Sequence, residues 1–84
     1  MKEHENSEQL IKKFSNLLNE TVESKIKMEE AIASAEMLCT KFANNSHVLC
    51  MAKSLKQACQ HSLEDIKQQI DLFSQIIESI KKDG

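Results

Sequence analysis

Apolar residues recur along this chain in alternating steps of four and three. One row reads Leu10, Phe14, Leu17, Thr21, Ser24, Met28, Ala31, Ala35, Leu38 and Phe42. That spacing keeps side chains on one side of an α-helix and marks a heptad seam. A flanking column, Ile11, Leu18, Lys25, Ile32 and Cys39, runs beside it. Four weak helix formers follow, Asn44-Asn45-Ser46-His47. The row then resumes as Val48, Ala52, Leu55, Cys59, Ser62, Ile66, Gln69, Phe73, Ile76 and Ile80, flanked by Leu49, Lys56, Leu63, Ile70 and Ile77. The pattern predicts one domain over residues 1–84, with a helix over about 7–43, a turn over about 44–47 and a helix over about 48–82. Residues 1–5 read as frayed. Asn6 is the expected N-cap, with Gln9 as its reciprocal capping-box partner. Asn tolerates the left-handed conformation that ends helices, and Asn or Ser can cap the next one.

If the chain folds back at 44–47, residues whose numbers add to about 90 face each other. Leu38 then meets Ala52, Ala35 meets Leu55, Leu17 meets Phe73 and Phe14 meets Ile76. Thr21 and Gln69 form a polar pair able to satisfy itself by a hydrogen bond. The expected fold is therefore all-α, an antiparallel two-helix hairpin with coiled-coil-like packing. An alternative uses the same residues. The heptad also runs unbroken through Asn45, which permits one continuous coiled-coil helix of roughly 75 residues, about 110 Å long.

A two-column seam suffices for a contact between two helices, whereas both halves here carry three apolar columns. The third columns, Ile11, Leu18 and Ile32 with Leu49, Leu63, Ile70 and Ile77, are expected to stay wet in a lone hairpin. They are the expected protein interface, closed by pairing two hairpins, or a hairpin and another helical subunit, into a four-helix bundle.

Composition agrees with helices throughout. There is no proline, and the one glycine is Gly84, so the usual turn formers are missing from the interior. With 84 residues, the chain buries only about 60–65% of its unfolded surface, which leaves a thin stability margin. A net charge of −2 with three Phe, no Trp and no Tyr lacks the basic stripe and aromatic platforms of a direct nucleic-acid binder. No apolar run approaches the roughly 18 residues needed to span a bilayer, and the first residues carry no apolar targeting core. Three irregularly spaced cysteines read as reduced thiols, which places the protein inside the cell, in cytoplasm or nucleus.

Catalytic and cofactor chemistry is not expected. Cys59-Gln60-His61 puts thiol and imidazole two apart on a helix, where they diverge, and no Cys-x-x-Cys or His-x-x-x-His occurs. Cys59 falls in the seam and Cys39 on its flank, both as small apolar groups, whereas Cys50 falls on a solvated column. Without interior glycine there is no phosphate loop, and two slender helices offer no substrate cavity. Glu8 with Lys12 and Glu23 with Lys27 are expected helix-supporting pairs. Lys25 and Lys56, which interrupt the third columns, are read as snorkelling into water or setting pairing specificity. The expected function is a non-catalytic interaction or structural subunit that binds itself or another helical protein. The alternative is a regulatory module offering an apolar groove to an amphipathic target helix.

Overall fold

A computed structural model describes residues 2–83, with side-chain surroundings from residue 7 to residue 83. Helix α1 spans Lys2–Lys41 and helix α2 spans Ser46–Asp83. The two pack against each other as a helical hairpin, and the described residues contain no strand. The molecule measures 66 × 14 × 13 Å between Cα extremes. A continuous 110 Å rod therefore does not form, because the chain reverses at residues 42–45.

Helix α1 begins at Lys2 rather than near residue 7. Residues 2–9 include Lys, three Glu and Gln, with no Gly or Pro, so nothing in them stops the helix from extending. Asn6, expected as the N-cap, therefore lies within the helix and does not start it.

The reversal is held by Asn45. Its carbonyl accepts the Leu49 N–H at 2.9 Å, and its side-chain Oδ1 accepts the Val48 N–H at 3.1 Å. Both bonds are those of an N-cap residue, the second satisfying a donor that the first helical turn leaves orphaned. This cap starts α2 at Ser46, two residues earlier than expected. Upstream, the Phe42 N–H donates to Leu38 O at 2.9 Å, and the Asn45 N–H donates to Phe42 O at 3.0 Å. No described non-glycine residue has a positive φ. The left-handed helix ending expected of the Asn pair is thus not used. A tight turn with an i to i+3 bond and ordinary backbone angles replaces it.

The covered positions decide which columns face inward. On α1 the half-buried or buried residues include Ile11, Phe14, Leu18, Thr21, Lys25, Met28, Ile32, Ala35 and Cys39. On α2 they include Leu49, Ala52, Lys56, Cys59, Leu63, Ile66, Ile70, Phe73, Ile77 and Ile80. Ala35 is 0% exposed and Ala52 3%, and these alanines sit at matching levels near the turn. Each helix thus covers its third column together with half of the row first assigned to the seam. The expectation that the third columns stay wet in one hairpin is corrected here. Ile77 is buried, and Ile11, Leu18, Ile32, Leu49, Leu63 and Ile70 are half-buried within a single chain.

Two cross-helix contacts fix the register. The Phe14 and Phe73 rings lie with centroids 6.0 Å apart at 48°, and Lys56 Nζ lies 3.6 Å from Glu36 Oε2. Facing numbers therefore add to about 90, but Phe73 meets Phe14 rather than Leu17. Lys25 and Lys56 lay their stems in the seam and send their heads to its edge, Lys25 to Glu29 Oε2 at 3.6 Å on its own helix. This is snorkelling with a carboxylate at the exit. Among the described residues the ion pairs that form are these, not Glu8–Lys12 or Glu23–Lys27.

Thr21 does not pair with Gln69. Its hydroxyl donates to Leu17 O at 2.8 Å, and Ser24 and Thr40 likewise bond Glu20 O and Glu36 O at 3.2 Å. A hydroxyl inside a helix has a carbonyl one turn back within reach, which leaves it no need of a cross-helix partner.

Candidate interaction surface

With the third columns turned inward, the two flanks of the hairpin differ in chemistry. One flank holds a shallow depression lined by Glu29, Ile32, Gln57, His61, Leu63 and Glu64 among others. Charged and amide side chains rim it with Ile32 and Leu63 between them, and Val22, one heptad before Glu29, is exposed on the same flank. The opposite flank carries a second depression, lined by Thr21, Ser24 and Met28 from α1 and by Ser62, Asp65, Ile66 and Gln69 from α2. That lining shows that Ser24, Ser62 and Gln69 share one side of the molecule, so their heptad columns do too.

Followed in both directions from this polar waist, the same columns become apolar. Toward the open end they reach Leu10, Leu17, Leu72 and Ile76. Toward the turn they reach Leu38, Val48, Met51 and Leu55. Except for half-buried Val48, these residues are 37% to 53% exposed. The flank is therefore a strip with two apolar ends and a polar centre. Lys13, Lys27 and Lys41 border it on α1, one helical step beyond the leucine column.

The sequence reading had Leu10, Leu17, Leu38, Leu55 and Ile76 in the hairpin's own seam and the third columns outside. The structure exchanges the two assignments. The signal that could have found this is the length of the interrupting side chains. Lys25 and Lys56 can occupy a seam through their methylenes, whereas Ser24 and Ser62 bring little apolar surface to bury and Gln69 would bury an amide.

The three thiols follow the seam. Cys59 is buried, Cys39 half-buried and Cys50 exposed. The described methionines do not gather on one face. Met28 lies half-buried in the seam, Met37 on the outer face of α1 and Met51 on the apolar flank of α2. Among the described residues, no three His, Cys, Asp or Glu side chains come together as a metal site. No described helix is long and apolar enough to cross a membrane. Comparisons of this chain with protein-family models, with curated proteins and with solved structures find no match.

Proposed function

We infer that this chain is a non-catalytic, protein–protein interaction subunit that assembles by helix packing, its open flank forming the contact. The observation that carries this reading is the flank itself, with seven large apolar residues exposed at heptad spacing on one side, against Val22, Ile26 and Met37 exposed elsewhere. Each such side chain, about half exposed, gains roughly 1 kcal/mol on being covered. Seven of them exceed what scattered surface apolar residues account for. Covering the flank with two further helices produces a four-helix bundle with coiled-coil-like seams on two sides of each helix. Three free thiols suit a reducing, intracellular setting.

The test compares baits. Tagged wild-type chain and a Leu55→Asp, Ile76→Asp variant are used to retain proteins from a lysate of the cells that express it. Helical proteins, further copies of this chain included, should be held by the wild type and lost by the variant. Equal retention by both baits, or retention by neither, would overturn the reading.

A further inference from the structure

We propose that the occupant of the apolar flank is a second copy of this chain, laid alongside with turn beside turn, so that α1 of each copy packs against α2 of the other. The proposal rests on the reading of the flank as a helix-packing contact and adds its partner and its geometry.

Size is the first support. A face 66 Å long and 14 Å wide offers about 900 Å², close to the roughly 800 Å² per partner of a standard interface.

Self-complementarity is the second. A twofold contact must match a surface to itself. Two arrangements bring flank to flank, with the axis along the hairpin or across it. With the axis along the hairpin, each level is preserved, and the register that joins Phe14 to Phe73 and Glu36 to Lys56 within the chain also sets levels between copies. Leu17 then meets Leu72 of the second copy, and Leu38 meets its Met51. Polar Ser24 meets polar Asp65 at the waist.

Charge separates the two arrangements. Turn beside turn, Lys27 at the α1 rim comes level with Asp65 of the second copy, and symmetry makes the pair twice. With the copies reversed and flush, Asp65 near mid-length approaches its own symmetry mate, and Lys27 comes level with Glu20 of the other copy rather than with Asp65. The like-charge contact on α2 weighs against that form, and a charge exchange between Lys27 and Asp65 tells the two apart.

The experiment has two parts, both on the full chain. First, mass is measured by light scattering over a dilution series. A dimer is expected, with Lys27→Asp and Asp65→Lys each weakening it by about tenfold through two symmetric ion pairs, and the double exchange restoring it. A monomer at every concentration overturns the proposal, while the bait comparison still decides the interaction reading on its own. Loss with no restoration in the double exchange overturns the Lys27–Asp65 pairing. Second, Cys50 is spin-labelled in a Cys39→Ala, Cys59→Ala background, and the distance between copies is read by pulsed dipolar spectroscopy. Turn beside turn, the labels lie within about 35 Å. Reversed copies place them beyond about 45 Å, from a 1.5 Å rise per residue, and that result overturns the arrangement.

Discussion

Phe14 and Phe73 lie ring against ring, centroids 6.0 Å apart and tilted by 48°, in the open half of the hairpin, far from the covalent turn. They join the two helices where no loop does. Tilted rings at this separation contribute about 0.5–1.5 kcal/mol beyond the area they cover. Truncating either ring to alanine should cost about 2 kcal/mol, less than a fully buried phenylalanine because both are only half covered. Urea melts at fixed protein concentration, run as a double-mutant cycle, should return a coupling within that range. A coupling near zero would show that the rings merely share the seam.

The turn depends on a single side chain. Asn45 Oδ1 accepts the Val48 N–H, and alanine at this position removes the acceptor while leaving the backbone free to keep its path. The expected loss is about 1 kcal/mol. Asn45→Asp should retain most of the stability, because its carboxylate accepts the same bond and favours the positive end of α2. Thermal melts of the two variants check this, and equal losses in both would remove the cap from the account.

Much of this fold was legible before any coordinates. The absence of interior Gly and Pro, the steps of four and three, and the Asn44–His47 interruption led to two antiparallel helices and a reversal within two residues of its place. The choice of seam was not legible. Phe14, Thr21, Met28 and Ala35 satisfy heptad spacing equally with the Leu10 column or the Ile11 column. Only what each column loses in the middle separates them. Lysine counted as a polar interruption, yet its four methylenes let Lys25 and Lys56 cover the seam and still reach Glu29 and Glu36. The candidate surface moved with that choice, since whichever column faces inward leaves the other outside.

That physical reason yields its own prediction. Leucine in place of Lys25 and of Lys56 fills a seam position with apolar volume and gives up one exposed ion pair, worth at most about 1 kcal/mol. The exchange should raise stability by about 1 kcal/mol per site. Lysines that stood on an outer face would instead leave the urea midpoint unchanged, or promote aggregation.

Thiol reactivity offers a reading of the seam that needs no variant. Cys50 is exposed, Cys39 half-buried and Cys59 buried. Timed alkylation followed by peptide mass spectrometry should modify them in that order, with Cys59 reacting only as the hairpin opens. Comparable rates at Cys50 and Cys59 would mean that α2 presents a different face to α1.

The strongest test of the exchanged columns sets two double variants side by side. Leu63→Asp with Ile70→Asp places two carboxylates in the covered seam. Burying them costs several kcal/mol, more than a small two-helix unit has to lose, so its helical circular dichroism should collapse. Leu55→Asp with Ile76→Asp changes only the open flank. It should keep the hairpin helical while losing the mass or the partner gained there, because each carboxylate stays in water in the lone chain. Both outcomes depend on Leu63 and Ile70 holding one chain together rather than joining two. A seam variant that stayed fully helical and lost only its association would return those columns to the interface and put Leu55 and Ile76 back inside.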